Sequence, residues 1–201
     1  MRFPRSIERI DYDPGNRKLW LELRKTVAGY YDKDVVRFGG SETAAASGAS
    51  KWKSKAAVWL EHTRQKEPPE VPMNLHMYRG ISTEDIIADR YWSYVDPDDP
   101  DPQVMLDNIE NNRVVRHSRH VYAMLINSKV PWLFSNVDRA AYAQKGRPKM
   151  ILEIKNMMGS ALEPWEDGLP REYTIQLQQN LLVSGCEYGE VFVLEDTTVP
   201  H

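Results

Sequence analysis

The tripeptide Glu153-Ile154-Lys155 lies within an apolar run from Met150 to Asn156, and Asp138 stands one strand earlier. In an extended strand alternate side chains share a face, so Glu153 and Lys155 project together while Leu152 and Ile154 enter the other side. A carboxylate and an ammonium then occupy one small patch. With a second acid from a neighbouring strand, such a patch holds a divalent cation through oxygen ligands while the lysine faces a water or a phosphate. That combination suits hydrolysis of a phosphodiester. The three residues alone also resemble the polar face of an ordinary strand, so the weight of the reading rests on what surrounds them.

Strands that could carry these groups are expected at Val121 to Ile126, Trp132 to Val137, Met150 to Asn156 and Tyr188 to Leu194. Pro170 opens a helix over Arg171 to Ser184 that Gly185 ends, and along one side of it recur Tyr173, Gln176 and Asn180. The amino-terminal half reads as helical. Leu19, Trp20 and Leu23 give helical spacing over Asp13 to Thr26. Phe38-Gly39-Gly40-Ser41 leads into an alanine-rich helix, Glu42 to Ser47, which Ser41 is placed to cap; a further helix covers Ser54 to His62. After a proline-rich loop, Lys66 to Pro72, a helix is expected over Ile81 to Trp92. Then come an acidic loop, Val95 to Gln103, and a helix from Val104 to about Asn112. Ile81, Glu84, Ala88 and Tyr91 share one seam, which puts a carboxylate where an apolar residue belongs. Either the helix is rotated to expose Glu84, or Glu84 has a cation, a hydrogen-bond network or a raised pKa. This element order predicts an α/β domain with a mixed sheet flanked by helices.

The length of 201 residues suits one domain with a core that needs no staples. A single cysteine, Cys186, excludes an internal disulfide framework and Cys-rich zinc or iron-sulfur sites. No apolar stretch resembling a signal peptide opens the chain and none is long enough to span a bilayer, so no membrane association and a cytoplasmic location are expected. With 26 Lys and Arg against 29 Asp and Glu, the net charge of −3 does not announce a nucleic-acid binder. Two local clusters could meet phosphates or form solvated faces: Lys51, Lys53 and Lys55 around Trp52, and Arg113, Arg116, His117, Arg119 and His120. His117 and His120 lack a third ligand nearby, which argues against a separate metal site.

In order along the chain stand Trp20-Leu-Glu-Leu-Arg24, Gly39-Gly-Ser41-Glu-Thr-Ala-Ala-Ala with Trp52 after it, Gly80 followed four residues later by Glu84, Ser135-Asn-Val-Asp138, Leu152-Glu153-Ile-Lys155, and Trp165 before Pro170-Arg-Glu-Tyr173-Thr-Ile-Gln176-Leu-Gln178. In this joint order the sequence resembles the lambda-type exonucleases, the YqaJ-type viral recombinase nucleases of the PD-(D/E)XK superfamily. The resemblance implies a restriction-endonuclease-like core. Within one domain, residues 1–112 would be a mainly helical part that binds DNA ends, and residues 113–201 a strand-rich catalytic core.

It further implies that Asp138, Glu153 and the backbone carbonyl of Ile154 ligate Mg²⁺, or Mn²⁺ in its place, and that Glu84 reaches a second ion. Lys155 would act on the attacking water or the phosphorus oxygens, and Gln176 would bond the nucleophile or scissile phosphate. Arg24 and Ser41 would grip a terminal 5′-phosphate, with Arg37 competing for Arg24's role; Trp20 would wedge against the duplex end, and Tyr173 would line the substrate path. By the same resemblance the substrate is the end of linear double-stranded DNA, digested 5′ to 3′ to leave 3′ tails. A single-strand annealing protein is the implied partner and a ring trimer the implied assembly, in a phage or prophage recombination setting. Two rival readings remain at this point: a repair or restriction endonuclease, and a non-catalytic DNA-end-binding module.

Overall fold

The computed structural model describes residues 3–69, 72–93, 118–144, 147–158, 165 and 167–196. The expected loop over 95–103, the helix over 104–112, and Arg113, Arg116 and His117 lie outside the described residues.

Seven strands and five helices are present among the described residues. They follow the order β1 (Ile7–Asp11), α1 (Arg17–Ala28), α2 (Gly40–Ala46), α3 (Lys55–His62), α4 (Leu75–Ser93), β2 (Ser118–His120), β3 (Ala123–Asn127), β4 (Phe134–Asn136), β5 (Arg139–Gln144), β6 (Arg147–Met158), α5 (Arg171–Ser184) and β7 (Tyr188–Asp196). The strands form two sheets, β1-β3-β4 and β2-β5-β6-β7. The second is mixed: β6 pairs antiparallel with β5 and parallel with β7, and α5 makes the crossover between the two parallel strands. Pairing of β1 with β3 brings the amino-terminal part into the first sheet, so that part is not helical alone.

Local chemistry accounts for most element boundaries. Asn16 caps α1 by accepting a bond from the Leu19 N–H, and Gly29 ends it in the left-handed conformation at φ 88°. The buried face of α1 is Trp20, Leu23, Val27 and Ala28, packed on Met124, Ile126 and Phe134. Leu19, expected on that face, is 60% exposed, because the i, i+3, i+7 row through Trp20 meets the sheet instead. The cap of α2 also differs from expectation. Gly39 is the capping residue, and Ser41 is the second residue of the helix; the Glu42 carboxylate turns back to accept the Gly39 N–H at 3.0 Å, and no hydroxyl occupies the cap position.

α4 begins at Leu75, upstream of the expected Ile81, with Asn74 accepting from the Met77 N–H. Gly80 is tolerated inside it. Ile87 and Ala88 on α4 are fully buried against Ala141, Met150, Leu152 and Ile154. Each large aliphatic side chain removed from water in this way contributes about 1.5–3 kcal/mol. Ile81 is 61% exposed, so the seam runs through Ile87 and Ala88 and leaves Glu84 at its border. Between α5 and the sheets, Leu125, Val137, Ile151, Leu177, Val183 and the free Cys186 form the second core.

Candidate active site

Alternation along β6 divides its side chains as the sequence requires. Leu152 and Ile154 enter the core under α4, while Glu153 and Lys155 stand on the other face with Lys155 Nζ 2.6 Å from Glu153 Oε1. The β5–β6 register pairs Arg139 with Leu152, and one step further along the antiparallel ladder sets Asp138 opposite Glu153. Asp138 Oδ2 accepts the Ile154 N–H at 3.0 Å. The acid, the Glu153 carboxylate and the lysine therefore share one site.

Helix α5 supplies the third side. Gln176 Nε2 donates to Glu153 Oε1 at 2.6 Å, and Asn180 Nδ2 donates to Glu153 Oε2 at 3.2 Å. Tyr173 presents its ring to Lys155 Nζ, 5.6 Å from the centroid, and stacks on Trp165 at 4.9 Å. Gln178 is exposed, whereas Gln179 donates to the carbonyls of Phe38 and Phe134, pinning the helix to β4.

Burial and crowding govern the electrostatics. Desolvation, reinforced by the adjacent Glu153 carboxylate, pushes the Asp138 carboxyl up to about 8. Burial alone would lower the Lys155 ammonium, but Glu153 and Asp138 outweigh it and hold the lysine above its ordinary value. Once Asp138 ionises, two carboxylates share one ammonium and the site lacks a positive charge. Their oxygens, with the Ile154 carbonyl, are hard donors of the kind that Mg²⁺ or Mn²⁺ takes, so the residues present fit such an ion.

Glu84 lines the same cleft as Asp138, a space of about 250 Å³ that also includes Tyr12, Trp20, Ile81 and Tyr122. Its carboxylate, however, faces basic groups: Oε1 lies 3.1 Å from His120 Nδ1 and 3.8 Å from Arg139 Nε, with no well-directed hydrogen bond. Asp85 completes this cluster, with His120 Nε2 at 2.6 Å and a contact to the Arg139 guanidinium. Glu84 above all holds the His120 imidazole above its ordinary value. Among the described residues no three acidic, histidine or cysteine side chains form a set able to hold a metal ion; Asp138 feels the charge of Glu153 and, less strongly, that of Glu84 across the shared cleft.

The amino-terminal candidates meet one another. Arg24 Nη2 donates to Ser41 Oγ at 3.2 Å, and the Arg24 and Arg17 guanidiniums lie 5.6 and 5.9 Å from the Trp20 ring. Arg37 is occupied elsewhere, donating to the carbonyls of Pro131 and Val27. α2 packs on α5 so closely that a Cβ on Gly40 would stand 2.9 Å from Gln176 Cγ, which ties the Ser41 segment to the helix bearing Gln176. Of the first basic cluster, Lys51 covers the exposed Trp52 ring, while Lys53 pairs with the buried Glu61.

Sequence reasoning gave no site role to Asp85, Arg139, Ser135 or Asn180. The one available signal was the helical spacing that aligns Asn180 with Gln176; an arginine following Asp138 carries no signal until the β5–β6 register is known.

A family model described as the YqaJ-like viral recombinase domain matches residues 19–187. The "Uncharacterized protein YqaJ" of Bacillus subtilis (strain 168) is 29% identical over 155 residues, which is 77% of this chain and 41% of that protein. The chain thus spans less than half the length of that relative. The fold is shared with the crystal structure of an alkaline exonuclease, LHK-Exo, from Laribacter hongkongensis, at TM-score 0.51 and 17% identity over 83% of this chain and 73% of that one. The crystal structure of LHK-Exo in complex with dAMP gives TM-score 0.53 and 17% identity over 80% and 70%. The architecture is accordingly the fold of these alkaline exonuclease structures, with the mixed sheet flanked by helices that the sequence leads one to expect.

Proposed function

The chain belongs to the YqaJ-like viral recombinase domain family, and from that premise we propose that it is a metal-dependent exonuclease that digests one strand of linear double-stranded DNA from the 5′ end, leaving 3′ single-stranded tails. The observation that carries the reading is the meeting of Asp138, Glu153 and Lys155 on one face, with the Asp138 carboxyl raised to about 8 by burial and by Glu153. An acid pair short of positive charge when ionised, one member buried and the other half-buried, favours a divalent cation over an empty site.

Asp138, Glu153 and the Ile154 carbonyl would hold Mg²⁺, with Mn²⁺ as a substitute, and Glu84 would turn from His120 to reach a second ion. The bound ions supply Lewis acidity to the water and to the scissile phosphate. Lys155 orients the attacking water and meets charge on the phosphorus oxygens, and Gln176 hydrogen-bonds the nucleophile or the phosphate. Arg24 and Ser41 grip the 5′-phosphate, Trp20 abuts the last base pair, and Tyr173 lines the strand's path. In this reading residues 1–112 chiefly hold the DNA end and residues 113–201 chiefly carry the chemistry. The protein works in phage-type recombination, where 3′ tails pass to a single-strand annealing protein and a homo-oligomeric ring, a trimer, keeps hold of the duplex.

Labelled linear duplex, bearing a 5′-phosphate or a 5′-hydroxyl, tests the proposal with Mg²⁺ and with chelator. Mononucleotides released only with metal, and faster from the phosphorylated end, are the expected result. Retention of intact duplex, or internal nicking without end dependence, overturns it.

A further inference from the structure

Glu153 receives three hydrogen bonds, and one of them comes from a group with no access to substrate. Lys155 and Gln176 reach Oε1 from partly open positions, whereas Asn180 reaches Oε2 from a position 1% exposed. The Asn180 amide is itself oriented: its Oδ1 accepts the hydroxyl of Ser135, which is fully buried on β4. With Oδ1 committed to Ser135, the amide must turn its N–H groups toward Glu153. A serine, an asparagine and a carboxylate thus form a closed polar chain inside the molecule. Apolar residues would fill such a position at lower desolvation cost, so packing alone gives this chain no reason to be polar.

We propose that Asn180, oriented by Ser135, is the positioning residue that fixes the Glu153 carboxylate for the cation site, an inference that rests on the function proposed above. Ser135 lies three residues before Asp138, so one short segment both carries the first acid and, through Asn180, sets the direction of the second. Lys155 and Gln176 are left to act on water and phosphate while the Asn180 bond keeps Glu153 in place. Hydrogen-bonded partners of this kind behind a metal-ligating carboxylate commonly change metal affinity by about 10–100-fold when removed.

Mn²⁺ titration followed by electron paramagnetic resonance, without DNA, reads the effect directly. Asn180→Leu is expected to weaken Mn²⁺ binding by about tenfold or more. It should bind 5′-phosphorylated duplex in EDTA as the unsubstituted chain does, and lower kcat with KM for DNA unchanged. Ser135→Ala shifts Mn²⁺ affinity in the same direction by less, since the amide then keeps its place but loses its fixed orientation. A folded Asn180→Leu protein with unaltered Mn²⁺ affinity overturns the proposal; should that variant fail to fold, unaltered affinity in Ser135→Ala does so. Absence of Mn²⁺ binding by the unsubstituted chain refutes the cation reading itself, and this inference with it.

Discussion

Replacing Asp138 by asparagine should stabilise the metal-free protein while removing its affinity for the cation. The carboxyl stands at about 8 in the fold against an ordinary 3.8. Between those limits the folded chain keeps a proton that the unfolded chain has released, so stability falls as pH rises through this window, and the loss is complete once Asp138 ionises in the fold. At about 1.4 kcal/mol for each tenfold, the deficit is about 1.5 kcal/mol at pH 5 and has an upper bound of about 6 kcal/mol at pH 9. Solvent contact at the half-buried Asp138 reduces that bound to a few kcal/mol. Asparagine keeps an oxygen for the Ile154 N–H and leaves Glu153 and Lys155 as a matched pair. Urea unfolding in EDTA should show Asp138→Asn more stable than the unsubstituted chain, by a margin that widens from pH 5 to pH 9. Added Mn²⁺ should narrow the margin at pH 9 and reverse the order at pH 5, because a ligand at a hundred times its Kd adds about 2.7 kcal/mol to the protein that binds it and nothing to the variant. A margin that is absent at pH 9, or that does not change between the two pH values, would falsify the account of Asp138.

Lys155→Ala should lower cleavage by at least about 10²–10³-fold while duplex affinity, read by fluorescence anisotropy in Ca²⁺, stays within about twofold; equal loss of both would count against a role in the reaction. Arg24→Ala should erase the preference for a 5′-phosphate over a 5′-hydroxyl, a ratio of about tenfold to a hundredfold if the guanidinium makes one charge-assisted contact, measured as initial rates on the two ends. At Gly29, with φ 88°, an alanine Cβ would stand 1.8 Å from the Val35 carbonyl oxygen, where main chain must move. Calorimetry of Gly29→Ala should show a loss of at least about 2 kcal/mol, a Tm lower by about 4–8 °C; an unchanged Tm would refute that strain argument.

The face shared by Glu153 and Lys155 was legible because two-residue alternation on β6 is a local property: the two side chains had to emerge together wherever the strand lay. α5 was legible in its full extent, since Gly185 marks its end and no competing signal intrudes. Signals that depend on pairing were not. β5 runs through Ala140 and Ala141 with a register shift after Ala141, so it lacks the alternation that identifies a strand, and it becomes one only because β6 offers a ladder. β1 likewise exists by virtue of β3. The partners of Glu84 were beyond reach for the same reason, because His120 on β2 and Arg139 on β5 become neighbours through the β2–β5 register, which pairs those two residues directly. Ser41 is not the cap because the helix already starts at Gly40, with Glu42, three residues after Gly39, reaching back to the Gly39 N–H.

Glu84 and Asp138 illustrate two ways for a fold to carry an acid it does not need for stability. Asp138 is kept by protonation, since burial and Glu153 together make the charged form costly. Glu84 is kept by counter-charge, from His120 and Arg139. Asp85, largely exposed, pairs with the same two basic groups and so offers them a partner that remains when Glu84 leaves. A cation entering the cleft would therefore displace a proton from the first acid and basic side chains from the second. The first exchange grows easier with rising pH up to about 8, and the second grows easier as His120, held above its ordinary value by Glu84, gives up its charge while Asp85 keeps Arg139 paired. Occupation of the Asp138–Glu153 position should thus follow the proton on Asp138, and release of Glu84 should follow the proton on His120.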